Sequence, residues 1–195
     1  MKQFPDKYFE LAIVDPPYRS KAENDGNVQM RNYGKKRKEI VGNKPGKAYF
    51  KELFRVSKNQ IIWGANNFRL PTYKGFVIWK KRTIPENFTM SMAEMASISE
   101  GLGTTSKIFE CAPQGTKEEP RIHPTQKPVA LYEWLLQHYA KPGDKILDTH
   151  VGSASSLIAC YEMGFDYIGF ELDPDYFKAA TERLEAVKAQ VRFPI

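Results

Sequence analysis

Leu11-Ala12-Ile13-Val14-Asp15-Pro16-Pro17-Tyr18 is the stretch that decides how this chain folds. Four apolar residues end abruptly in an acid, two prolines and a tyrosine. A short branched run of this kind reads as a strand of a parallel sheet, covered on both faces. Pro16 and Pro17 carry no N–H and fix φ, so the ladder stops at them. Asp15 precedes a proline and is kept extended, which sets its carboxylate at the carboxyl end of the strand. That edge is where ligands bind in open α/β sheets.

The chemistry these residues suit is attack by an exocyclic amine. Such a nitrogen is conjugated with its ring and is a poor nucleophile. Acceptors on its N–H groups localise the lone pair and take up developing charge. Asp15 offers one acceptor and the carbonyl of Pro16 another. Tyr18 offers a flat face on which a planar base can stack. Four residues alone equally fit a strand-to-loop junction with a capping acid, so the rest of the chain has to decide.

Charge placement is the next signal. Residues 19–47 hold nine Lys/Arg against three Asp/Glu, a net +6 that equals the net charge of all 195 residues. The excess begins immediately after Tyr18, and a concentrated basic segment beside a site suits a polyanion. Lys35, Lys36, Arg37 and Lys38 form its densest run, and Lys80, Lys81 and Arg82 form a second basic cluster further on. The composition is that of a soluble globular protein long enough for one sizeable domain. Cys111 and Cys160 are far apart, and His123, His138 and His150 lack ligand spacing, so no metal site is expected. The start shows no signal-peptide pattern and no apolar run has membrane-spanning length, which makes a cytoplasmic location the expectation.

Outward from the first strand, the pattern predicts strands at 60–64, 75–79, 95–99, 107–111, 145–148 and 167–171. Helices are predicted at 47–56, 129–140, 154–163 and from 174 to about 190, and loops at 19–46, 83–92 and 112–122. Strands alternating with helices imply an α/β fold with a mostly parallel sheet and helices on both faces. Residues 146–171 read as one βαβ unit. Asp148 ends its first strand, Gly152 and Ser153 lie in the turn, and Glu171 ends its second strand, near the offset at which an acid meets a ribose. A single glycine in the turn argues against a pyrophosphate cradle, so a nucleoside without a diphosphate is expected, which points to S-adenosylmethionine. His123-Pro124-Thr125-Gln126-Lys127-Pro128 precedes a helix, with Pro128 in its first turn and donors available for a ligand carboxylate.

These motifs, in this order, resemble the amino-group DNA methyltransferases. Asp15-Pro16-Pro17-Tyr18 resembles their catalytic motif, His123 to Pro128 the motif before the cofactor half, and Asp148 to Ser153 the cofactor loop. Glu171 resembles their ribose-binding acid. Catalytic motif first and cofactor loop last is the circularly permuted β-group order of adenine-N6 and cytosine-N4 enzymes. The segments Gln60 to Phe68 and Gly75 to Lys80 look like small phage or mobile-element members. The resemblance implies a Rossmann-like methyltransferase fold in one domain, with a catalytic half at 1–111 and a cofactor half at 123–195. It implies that Asp15 and Pro16, with Pro17, bind the target amino group and that Tyr18 stacks on the flipped base. Asp15, Thr125, Lys127, Pro128, Asp148, His150, Gly152, Ser153 and Glu171 would surround S-adenosylmethionine. Double-stranded DNA is the implied partner and a homodimer the implied assembly.

Aspartate at position 15 favours adenine in the family pattern; the alternatives are cytosine-N4 and a non-catalytic DNA-binding subunit. Three departures stand out. The cofactor loop has Thr149-His150 and Gly152-Ser153-Ala154 where the family has Pro-Phe and Gly-Ser-Gly. The strand that usually stands upstream of the catalytic one is missing from Met1 to Glu10, so the sheet is expected to be one strand short. No large target-recognition domain is present, which leaves loops 19–46, 82–92 and 112–122 to read DNA.

Overall fold

A computed structural model of the chain describes residues 1–18, 44–88, 90–113 and 121–190. Seven strands form one sheet: β1 (Phe9–Val14), β2 (Ser57–Trp63), β3 (Gly75–Lys81), β4 (Ala93–Ile98), β5 (Lys107–Cys111), β6 (Lys145–Asp148) and β7 (Asp166–Gly169). Their order is β5-β3-β4-β2-β1-β6-β7. Helices α1 (Lys47–Val56), α2 (Val129–Tyr139), α3 (Ser155–Met163) and α4 (Pro174–Lys188) connect or follow them. All neighbours are parallel except at β4, which runs against both β2 and β3. The carboxyl ends of the other six strands therefore share one edge, and β4 begins at that edge. Residues 1–8 add no strand, and among the described residues β7 borders the sheet.

β1 is apolar from Leu11 to Val14 because it lies between β2 and β6 and is covered on both faces. Leu11 and Ile13 pack with Leu131, Leu135 and Leu136 of α2 and Ala159 and Cys160 of α3. Ala12 and Val14 pack on the opposite face with Phe50, Leu53 and Val56 of α1. Full burial of each large side chain here contributes roughly 1.5–3 kcal/mol of transfer free energy. α4 begins on a side-chain cap, with Asp173 accepting from the N–H groups of Asp175 (2.9 Å) and Tyr176 (3.2 Å).

Several boundaries differ from the sequence pattern, among them β3, which runs on to Lys81, and β4, which begins at Ala93. β7 ends at Gly169 rather than at Glu171, although Phe170 N–H still donates to the Asp148 carbonyl at 2.9 Å. Pro128 is the N-cap residue of α2, one position before the first helical turn, with extended ψ of 147°. β2 begins at Ser57, directly after α1, because the helix stops where Ser57 turns extended.

Candidate active site

β1 and β6 are neighbouring parallel strands, with Leu11 opposite Ile146 and Ala12 opposite Leu147. Their carboxyl ends lie side by side, so the loop opened by Asp15 faces the turn that follows Asp148. Both Asp15 oxygens are engaged. Tyr18 donates its hydroxyl to Asp15 Oδ1 at 2.6 Å, and Lys127 Nζ donates to Asp15 Oδ2. Tyr18 is held in turn by Gly64, whose φ is +65°. A Cβ built there would come within 2.1 Å of Tyr18 Cε1, so only glycine admits the ring. We therefore expect Gly64→Ala to cost at least about 1–2 kcal/mol from the left-handed backbone alone, and to displace Tyr18; thermal denaturation and near-ultraviolet circular dichroism would report both.

The turn after β6 is tied together by two carboxylates. Asp148 is buried; its Oδ1 accepts the His150 N–H at 2.9 Å and its Oδ2 accepts the Ser156 hydroxyl at 2.5 Å. Burial outweighs these two donors and pushes its pKa up to about 7. Glu171 accepts the Gly152 N–H at 2.8 Å and the Asp173 N–H at 2.9 Å. It thus braces the glycine turn while each oxygen keeps a further acceptor position. Gly152 has φ +55° and lies against the His123 ring, which meets Tyr176 edge-on at 4.3 Å. Ala154 takes the same left-handed conformation at φ 63°, where the family pattern has glycine. The turn keeps that shape at a cost of roughly 1–2 kcal/mol for an L-residue.

A linkage test follows for Asp148. Its folded pKa is raised from 3.8 to about 7, so the folded chain binds more protons and stability falls as pH rises through that window. Asp148→Asn removes this dependence. The melting temperature of the variant relative to the unmodified chain is expected to climb between these limits and to level off above pH 7.

A family model for DNA methylase, of the N6/N4 amino-group class, matches residues 22–182. This chain belongs to that DNA methylase family. YubD of Escherichia coli (strain K12) is 27% identical over 207 residues, covering 96% of this chain and 87% of YubD. The type II methyltransferase M.HpaI of Haemophilus parainfluenzae is 22% identical over 225 residues, covering 95% of this chain and 71% of its own. Among solved structures, the M1.HpyAVI–SAM complex superposes with a TM-score of 0.57 at 21% identity, covering 91% of this chain and 89% of that one. The cytosine-N4-specific PvuII DNA methyltransferase gives 0.60 at 11% identity, covering 95% and 86%. The fold is thus the Rossmann-like methyltransferase sheet.

Within this DNA methylase the expected site residues fall into groups. Asp15, Pro16, Pro17 and Tyr18 follow β1; Asp148, His150, Gly152 and Ser153 lie at the end of β6 and in the turn beyond it; Glu171 follows β7. Thr125 lies beside His123, with its N–H 3.3 Å and its hydroxyl 3.2 Å from Nδ1. His150 turns towards α1: its ring meets Tyr49 at 5.4 Å, and Thr149 Oγ1 is 3.0 Å from His150 Nδ1 and 2.6 Å from the Tyr49 hydroxyl. Burial lowers the pKa of His123 and of His150 to about 4, so both rings are neutral at pH 7.

Two of the expected lysines are drawn into the fold. Lys127, expected on the cofactor, is buried with its ammonium on Asp15 and, at 2.9 Å, on Glu94. Lys81, expected to face DNA, is buried with its ammonium 2.6 Å from the other oxygen of Glu94. Strand alternation explains this: Val77, Trp79 and Lys81 share the inner face of β3, while Lys80 points outward. Lys80 and Arg82 are exposed and paired with Glu110, at 3.1 and 3.9 Å. Lys35, Lys36, Arg37 and Lys38 lie outside the described residues. The motifs include neither Glu94 nor Tyr49. The available signal for Glu94 is an acid on the same strand face as the buried Ala96 and Ile98, two and four residues before them.

Proposed function

We propose that this chain transfers the methyl group of S-adenosylmethionine to the N6 amino group of adenine in double-stranded DNA. The observation that carries this reading is the adjacency of the β1 and β6 carboxyl ends, which sets Asp15 beside the glycine turn braced by Glu171. The donor set fits the proposed cofactor: a carboxylate with spare acceptor capacity for ribose hydroxyls, a glycine turn that permits close approach, and the Thr125 hydroxyl. Pro128, at the N-cap of α2, fixes the chain that carries Thr125 and Lys127. Solved complexes of similar proteins with S-adenosylmethionine support the same cofactor.

When bound, S-adenosylmethionine supplies an electrophilic methyl group on a positively charged sulfur. Asp15 and the Pro16 carbonyl accept the two N–H bonds of the amino group, which concentrates its lone pair for attack. Pro17 fixes the backbone between them and Tyr18. Tyr18 stacks on the base after it leaves the duplex. Lys127 holds the Asp15 carboxylate in place. No protein nucleophile takes part, so the chain acts by positioning and electrostatics.

Aspartate rather than serine at position 15 supports adenine over cytosine, and Ala154, by holding the glycine-like backbone, supports an intact cofactor turn. The test is incubation of duplex DNA with methyl-labelled cofactor followed by nucleoside analysis. N6-methyladenine is expected. N4-methylcytosine would reassign the base alone. No labelled nucleoside, with DNA binding retained and no calorimetric heat from the cofactor, would establish a non-catalytic DNA-binding subunit.

The basic segment is proposed to follow phosphates, with Lys80 and Arg82 adding to it. Neutralising Lys35, Lys36, Arg37 and Lys38 together is expected to weaken binding to all sequences. It should also lower the slope of log affinity against log salt by about 0.9 for each phosphate that the variant no longer neutralises. An unchanged slope would remove this segment from the interface.

A further inference from the structure

Four charged groups alternate in sign along the active edge: Asp15, Lys127, Glu94 and Lys81. Lys127 and Lys81 are buried, and Glu94 is three-quarters buried. The ammoniums lie over indole rings, Lys127 at 5.2 Å from Trp63 and Lys81 at 5.0 Å from Trp79. The four formal charges cancel, which is how so many ions are accommodated away from water. The far half of this row comes from the β3–β4 hairpin, which the motifs do not include.

The fold makes the row possible through the reversed strand. β4 runs against β2 and β3, so its second residue is at the carboxyl edge, opposite Trp79 in the register. Glu94 therefore meets Lys127 arriving from the segment before α2, and Lys81 arriving at the end of β3. Each Glu94 oxygen serves one lysine, Oε1 for Lys81 and Oε2 for Lys127.

We propose that Glu94, charge-balanced by Lys81, is a positioning residue for methyl transfer: it shares the Lys127 ammonium with Asp15 and so limits how strongly that cation draws on the acceptor. The inference rests on the methyl-transfer reading above. A carboxylate fully taken up by one ammonium is a weaker acceptor for an incoming N–H. With Glu94 drawing on the same ammonium, Asp15 stays anchored yet available. Glu94 touches neither base nor cofactor in this scheme. Its effect belongs in the chemical step and not in binding.

Glu94→Gln removes the charge; its amide oxygen can still accept from Lys127, while its NH2 then faces the Lys81 ammonium. It leaves the row with one unbalanced positive charge. Adding Lys81→Met restores neutrality. Single-turnover rates with saturating S-adenosylmethionine and DNA, together with both dissociation constants, test the scheme. We expect Glu94→Gln to slow the step at least tenfold with both dissociation constants within threefold of the unmodified chain. The Lys81→Met/Glu94→Gln pair is neutral but leaves the Lys127 ammonium to Asp15 alone, so it is expected to stay at least tenfold slow. A Glu94→Gln rate within twofold of the unmodified chain would overturn the proposal, and so would a double variant within threefold of it, which would make net charge, and not the sharing of Lys127, the cause. Should Glu94→Gln not fold, the double variant, which buries no net charge, decides alone. An unmodified chain that methylates no base would instead refute the methyl-transfer reading, and that outcome shows in its own arm of the experiment.

Discussion

Asp15→Ala is expected to lower the rate of methyl transfer by roughly 10³-fold or more, about 4 kcal/mol of transition-state stabilisation, with DNA binding retained. The reason is geometric. Asp15 is the acid at the end of β1, and it meets both the Tyr18 hydroxyl and the Lys127 ammonium. On the proposed mechanism it accepts an N–H of the target amine, and no other described carboxylate follows β1. Alanine removes that acceptor and leaves the Lys127 ammonium facing the incoming amine. Single-turnover assays with gel-shift binding in parallel check the prediction. A variant within tenfold of the unmodified rate would show that the acceptor lies elsewhere.

Lys127→Met carries the largest expected cost in stability. The lysine is 4% exposed and pairs with two carboxylates that come from distant parts of the chain. Breaking a buried ion pair from one side typically costs about 3–5 kcal/mol, because the abandoned charge keeps its desolvation penalty. For a chain of this size that corresponds to a fall in melting temperature of roughly 6–20 °C. Activity is expected to fall with it, since Asp15 loses its anchor.

The pH dependence gives a second readout. Burial works to raise the Glu94 pKa, but Lys127 and Lys81 outweigh it and hold the carboxyl down to about 2, against an ordinary 4.5. A depressed acid contributes stability above its unfolded pKa and loses it as pH falls through the folded one. The deficit of Lys127→Met should therefore be complete above pH 4.5 and shrink between there and pH 2. Melting temperatures taken across that range test this. A deficit independent of pH would mean that packing of the lysine stem, and not its charge, is what the substitution removes.

Legibility follows the range of the interactions. The end of β1 is readable because two prolines and an acid act on their immediate neighbours. The βαβ unit is readable because Asp148, Gly152 and Glu171 lie within one continuous stretch. The strand end that carries Asp15 is plain from the sequence, but its partner is not: Lys127 is 112 residues away, and nothing local marks it as inward-facing. Lys80-Lys81-Arg82 reads as a surface cluster by composition. Only the strand period separates Lys81 from its neighbours, and that period is visible once Val77 and Trp79 are taken as core. The weak pattern at 93–98 hides Glu94, because a strand taken to begin at Met95 excludes it. Ala154 shows the reverse case. Its departure from glycine is plain in the sequence, yet the backbone adopts the glycine conformation regardless.

The pairing of β1 with β6 has a consequence for synthesis of the protein. The first of these strands leaves the ribosome more than a hundred residues before its neighbour, with most of the sheet made in between. Until the later strand docks, one side of β1 has no partner, and the proposed acceptor and methyl-donor cradle remain in separate parts of a growing polypeptide. Closure of this long-range pairing belongs among the slow steps of folding. On the proposed function, a nascent chain is therefore unable to methylate DNA until the turn after β6 and Glu171 have been translated.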